Sequence, residues 1–75
     1  MRVTVRWFAS LRERRGVAEE EVDLPEVCTA REAYVRLCPP AELPVAYAVN
    51  EERVRPDTVL RAGDEVVFLP PLGGG

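Results

Sequence analysis

The sequence predicts an α+β domain, a mixed sheet of about five strands with one main helix across one face, in the order ββαβββ. Three observations carry this. The chain opens on a segment of alternating polarity, a single amphipathic helix signal with its own cap lies near the middle, and a continuously apolar run occupies 66–69. Seventy-five residues leave room for one domain, which buries only about 60% of its unfolded surface. The reading divides the chain into a domain over 1–72 and a flexible glycine tail over 73–75.

Residues 2–8 alternate, with Val3, Val5 and Trp7 on one face and Arg2, Thr4, Arg6 and Phe8 on the other, the period of a half-buried strand. Phe8 falls on the polar face, where two roles fit it: contact with a partner, or packing under the next segment. Residues 9–15 combine helix formers and charge ahead of Gly16, a C-cap residue, and so give one or two helical turns. Residues 19–24 alternate again until Pro25, with Gly16, Val17 and Ala18 supplying the turn of a hairpin.

Thr29 and Glu32 have the spacing of a capping box. The main helix starts there, with Ala30, Ala33, Tyr34 and Leu37 on one apolar face, and Pro39 and Pro40 end it. Residues 45–49 form a third strand, Asn50 to Glu52 a turn, residues 53–55 a short fourth strand, and residues 65–69 the fifth after a turn at Gly63. Both parities of the fifth strand are apolar, which predicts a central strand covered on both faces. The first and last strands are the most apolar, so they pair at the centre and run parallel, with the helix in the crossover.

After Leu69 the chain runs through Pro70, Pro71 and Leu72 to Gly73, Gly74 and Gly75. Prolines cannot donate to a strand ladder, so the sheet ends at Pro70 and the chain leaves stiffly. Triple glycine threads a narrow channel and leaves the terminal carbonyl unshielded. Ordering it costs roughly 1–2 kcal/mol per residue, so a partner must hold it. On tail composition alone a frayed terminus or a cloning scar is the more ordinary reading; the apolar strand and the prolines that precede the glycines turn the balance.

Composition excludes several functions. All ten basic residues are arginine, there is no lysine or histidine, and the net charge is −3, which argues against nucleic acid as a partner. No run approaches the ~20 apolar residues of a membrane span. The opening Met1-Arg2-Val3-Thr4 carries no signal-peptide block, so a cytoplasmic location is expected. Without histidine there is no ordinary general base and no common metal ligand. Cys28 and Cys38 flank the helix, whose ~10 residues hold them roughly 15 Å apart, too far for a disulfide. Each is read as a small buried hydrophobe. Neither a metal nor a cofactor bound by the chain is expected, and the chain is not an enzyme alone.

Four blocks, Val5-Arg6-Trp7-Phe8-Ala9-Ser10-Leu11-Arg12-Glu13, Ala48-Val49-Asn50-Glu51-Glu52, Gly63-Asp64-Glu65-Val66-Val67-Phe68 and Pro70-Pro71-Leu72-Gly73-Gly74-Gly75, resemble the small, sulfur-carrying subunits of molybdopterin synthase, a ubiquitin-like family of β-grasp fold. Gly73 stands where that family often has a short polar residue, and Val27 and Cys28 replace a glycine often found before the helix. The resemblance implies that Gly75 is the reactive residue, adenylated with ATP by an activating enzyme of the ubiquitin-activating type and then converted to a thiocarboxylate. Gly73 and Gly74 would enter the large subunit's active site, where the sulfur passes to a cyclic pyranopterin precursor, in a heterotetramer of two small and two large subunits. For docking the expected residues are Phe8, Leu69 and Pro70 with Val54, an apolar patch near the tail's exit, although Leu69 also fits a core position. Glu51 and Glu52 are expected to affect association rate if they lie on the rim. Rival readings are a carrier feeding the thiazole of thiamine, a carrier for sulfur-containing amino acid synthesis or tRNA thiolation, and, in another class, a ubiquitin-like modifier or protein-binding module.

Overall fold

The alternation of the opening segment becomes β1 (Arg2–Arg6), with Val3 and Val5 buried and the arginines exposed. The computed structural model describes residues 1–71; Leu72 and the expected tail over 73–75 lie outside the described residues. β1 stops two residues before the expected end. Phe8 takes the N-cap position of α1 (Ala9–Arg15), and Ala9 turns the chain with φ 49°. Trp7 stays in the core all the same, its backbone N–H donating to the Ala18 carbonyl at 2.8 Å. Gly16 closes α1 in the left-handed region at φ 78°, its N–H donating to the Arg12 carbonyl.

β2 (Glu19–Asp23) runs antiparallel to β1, and α2 (Ala30–Leu37) follows with the expected capping box. The Thr29 N–H donates to Glu32 Oε1 at 2.9 Å and the Glu32 N–H to Thr29 Oγ1 at 3.1 Å. Ala30, Ala33 and Tyr34 are fully buried. β3 (Ala46–Val49) and β4 (Glu52–Val54) form a hairpin. Here the fourth strand lies one residue earlier than expected, because the turn holds only Asn50 and Glu51. Both have positive φ, 51° and 69°, the signature of a tight hairpin turn whose twist matches the strands. Glu52 is thereby released to pair with Val49. A glutamate is strained at the second of these positions, so Glu51→Gly is expected to stabilise the domain by about 0.5 kcal/mol, raising the melting midpoint by roughly 2–4 °C. A thermal melt that fell instead would refute this account of the turn.

β5 (Glu65–Leu69) completes a five-stranded sheet in the order β2-β1-β5-β3-β4, with β1 and β5 parallel at its centre and every other pair antiparallel. This mixed sheet, crossed by α2, is the ubiquitin-like β-grasp fold. Val66 and Phe68 face the helices; the Phe68 ring lies 5.5 Å from both Trp7 and Tyr34 and 5.9 Å from Tyr47. The expectation that β5 is covered on both faces needs correction. Both helices pack on the Val66 and Phe68 side, with Leu11, Ala33 and Tyr34 in the core cluster and the Arg15 guanidinium over the Trp7 ring. Val67 faces the other way, outside that cluster, yet is only 9% exposed. Its neighbours across the sheet are Arg6 on β1 and Ala48 on β3.

One polar cluster ties α1 to both layers. Trp7 Nε1 donates to Glu20 Oε2 at 2.7 Å, Arg15 donates twice to the same carboxylate at 3.0 and 2.9 Å, and Arg15 Nη1 reaches the Leu37 carbonyl at 2.9 Å. Hydrogen bonding from Arg15 holds the Glu20 carboxyl below its ordinary value of 4.5; the Trp7 indole adds to this and burial opposes it. A depressed folded value means stability that is fully present above pH 4.5 and is lost as the pH falls through the folded value. Glu20→Gln should therefore cost about 1–2 kcal/mol at pH 7 and much less at pH 3. Equal losses in urea denaturation at the two pH values would contradict the linkage.

Candidate docking face and tail exit

The outer face of the sheet is divided along its length. Along β1 and β2 and at the start of β5 it is charged: Arg2 lies 3.2 Å from Asp23 and 3.8 Å from Glu21, and Arg6 sits 3.8 Å from Glu19 and 3.7 Å from Glu65. Toward the end of β5 it is apolar. Pairing puts Ala46 opposite Leu69 and Ala48 opposite Val67 on β3, and Arg6 opposite Val67 on β1. Extending that last register by two residues brings Phe8 level with Leu69. Phe8 is 38% exposed, with the Arg6 guanidinium over its ring at 5.5 Å, a cation–π contact at the surface.

Of the residues expected to dock, Leu69 ends β5 and Pro70 follows it, while Phe8 lies two residues beyond the Arg6–Val67 pair, at the N-cap of α1. Leu69 and Pro70 are partly buried and Pro71 is exposed. Val54 lies elsewhere: it pairs with Tyr47 and packs against the core from the inner face. Glu51 and Glu52 are exposed but sit beside the start of β5, since the Asn50 N–H donates to the Glu65 carbonyl at 2.8 Å. They stand at the opposite end of the sheet from the tail's exit. Gly73, Gly74 and Gly75 lie outside the described residues.

Sequence reasoning missed Val67, Ala48 and Ala46 as members of the face. The signal was present in β3, where Ala46 and Ala48 are the small residues of one parity. Small side chains across a central strand leave a shallow, level surface. Such a surface can accept a flat partner, and Phe8 is an exposed aromatic side chain.

Cys28 and Cys38 are both free and buried. Burial pushes both thiols up, which keeps them protonated and poorly nucleophilic at neutral pH. Among the described residues no group of three or more histidine, cysteine, aspartate or glutamate side chains could hold a metal ion, and no helix is long and apolar enough to cross a membrane.

Residues 5–75 match the model of the ThiS family. Along its whole length the chain is 36% identical to the curated molybdopterin synthase sulfur carrier subunit of Chlamydomonas reinhardtii, with all of both chains covered. It is similar to the solved structure of a putative molybdopterin converting factor, subunit 1, from Pyrococcus furiosus, with a TM-score of 0.82, 31% identity, and 96% of this chain and 99% of that one covered. A complex of subunits 1 and 2 of the molybdopterin-converting factor from Helicobacter pylori contains a similar chain at a TM-score of 0.65 and 25% identity, both chains fully covered.

Proposed function

The chain belongs to the ThiS family, and from that premise we propose that it is the sulfur carrier subunit of a molybdopterin synthase, acting in the cytoplasm through its C-terminal Gly75. The observation that supports this reading is the course of the central strand: β5 ends at Leu69 and leads directly into Pro70 and Pro71, ahead of the glycines in the sequence. The full-length similarity to a curated sulfur carrier subunit supports the same reading.

A carboxylate is a poor acyl donor until it carries a good leaving group. In the proposed sequence the Gly75 carboxylate attacks the α-phosphate of ATP on an adenylating enzyme, and pyrophosphate leaves. Hydrosulfide then attacks the acyl carbon, AMP leaves and a proton is lost, which yields the thiocarboxylate. In the large subunit the sulfur passes to a cyclic pyranopterin precursor and water restores the carboxylate. Gly73 and Gly74 fit a channel that side chains would block. Pro70 and Pro71 limit the entropy lost when the tail is taken up. The assembly proposed is two small and two large subunits, for which the Helicobacter pylori complex of two subunits offers a precedent in kind.

Docking is assigned to the outer face, with Phe8 as anchor and Leu69, Pro70, Val67 and Ala48 around it. Phe8→Ala should leave the fold intact, because the ring is exposed, and weaken binding to the large subunit by about 2 kcal/mol, roughly thirtyfold in Kd. An unchanged Kd in calorimetry would remove Phe8 from the interface. The function itself is tested by reconstitution: thiocarboxylated chain, large subunit and pyranopterin precursor should give the dithiolene product, and the untreated chain should not. Sulfur transfer only into a thiazole-forming system, or lysine-linked conjugates in cells without pterin product, would replace this reading with a rival one.

A further inference from the structure

We infer that the chain is closed to its own activated terminus: none of its side chains within reach of Gly75 can accept an acyl group, so the acceptor must always belong to another molecule. The inference rests on the carrier reading for the existence of an activated Gly75, and on composition and geometry for the rest. An acyl adenylate or thioester reacts with amines and thiolates. In self-acylation the bond from the acyl carbon to its leaving group breaks, an amide or thioester forms, and the leaving group and a proton are released.

The chain holds no lysine and no histidine. Its ten basic side chains are all arginine, and a guanidinium has no lone pair free for acyl attack. Cys28 and Cys38, the two thiols, are 2% and 5% exposed, and burial keeps both in the thiol form. Tyr34 and Tyr47 lie in the core, the first donating its hydroxyl to the Leu43 carbonyl at 2.9 Å. Serine and threonine hydroxyls are weak nucleophiles without a base to activate them.

The α-amine of Met1 is the remaining amine, and the topology keeps it from the tail. It donates to the Leu24 carbonyl at 2.6 Å, with Glu26 3.8 Å away, at the start of β1. β1 and β5 are parallel, so the tail leaves from the other end of the sheet. Seven residues of strand separate Met1 from the level of Phe8 and Leu69, about 23 Å. The four residues after Pro71 span at most about 14 Å. By contrast, Arg53 and Arg55 stand on and just after the edge strand β4, two strands from β5, about 10 Å. They are exposed. Arginine at these places supplies positive charge to a docking partner without offering an amine to the tail.

The consequence is chemical selectivity. A ubiquitin-like chain with exposed lysines can be acylated on them by another copy of itself and so build polymers; this chain offers no lysine for that, and its activated form is preserved for an external acceptor. The test uses the full chain carrying a small-molecule thioester at Gly75, with hydroxylamine capture establishing that the thioester is reactive. Incubated alone at pH 8 and followed by intact mass, it should give only the hydrolysed acid. Chains with Arg53→Lys or Arg55→Lys should give in addition a cyclised product one water lighter than the acid, at least tenfold faster than any adduct of the parent. A parent that forms adducts as fast as the lysine variants, mapped by peptide digestion to Met1 or a cysteine, would overturn the inference. So would lysine variants as inert as the parent, because the missing lysines would then not be what protects the chain. As the thioester is installed chemically, neither outcome depends on whether an adenylating enzyme acts on the chain, which the sulfur-loading assay reads separately.

Discussion

Deletion of Gly75 is expected to abolish sulfur loading while leaving the melting midpoint unchanged. The truncated chain still ends in a glycine carboxylate, so the chemistry of the terminal group is preserved and only its position differs. One residue shortens the reach by about 3.5 Å. Nucleophile and α-phosphate must approach to about 3–3.5 Å for in-line attack, and a misplacement of even 1 Å can cost about a hundredfold in rate. On the proposed reading the domain also seats on the adenylating enzyme through its outer face, and the stiff exit through Pro70 and Pro71 limits how far the tail can stretch to compensate. Loss of at least a hundredfold in the thiocarboxylate increment, read by intact mass after incubation with ATP, a sulfur source and the adenylating enzyme, is the expected result. A truncated chain that loads at the parental rate would show that the enzyme captures any flexible glycine end, and the docking face would lose its role as a ruler. Gly74→Val asks the complementary question, since it keeps the length and adds a branched side chain where the channel is proposed to be narrow; it too should fail to load.

The structure shows how far such arguments could be carried from residues alone. The element order, the capping box at Thr29 and the parallel pairing of β1 with β5 were legible because each rests on a strong local signal: a period of two, an S/T-x-x-E spacing, an apolar run. Three things were not. The outer coverage of β5 was misjudged because a continuously apolar strand reads the same whether or not a second layer lies over it; Val67 has Arg6 and Ala48 as its neighbours across the sheet, which only the register reveals. The boundary of β4 moved by one residue because Glu51 adopts φ 69°, a conformation that a glutamate gives no sign of accepting. That single step is what places Val54 on the core side, since a one-residue shift in a strand exchanges its faces. The outward placement of Phe8 and the position of Leu69 and Pro70 at the strand end were therefore legible, and the inward placement of Val54, where parity decides, was not.

Phe68→Ala is expected to be the most destabilising single change in the domain, and its effect on function should be total without touching the tail. Phe68 is fully buried on β5, its ring within 6 Å of Trp7, Tyr34 and Tyr47, so it joins the last strand to the first, to the third and to α2 at once. Truncating a buried phenylalanine costs about 3–5 kcal/mol, from lost transfer energy and the cavity left behind. A domain of this size holds only roughly 4–11 kcal/mol in all, so the variant should be largely unfolded at 37 °C and the Trp7 fluorescence should report it. The loss would reach the tail through geometry alone. β5 positions Val66 and Phe68 inward and Val67 and Leu69 outward, so the same strand that nucleates the aromatic core also sets the level of the docking face and the direction in which Pro70 leaves. Phe68→Leu separates the two roles. It retains an apolar side chain at the centre, should cost less than half as much, and should keep docking within about threefold of the parent. If Phe68→Leu docked as poorly as Phe68→Ala while remaining folded, the aromatic cluster would be shaping the outer face directly, and the division of β5 into a core face and a docking face would have to be abandoned.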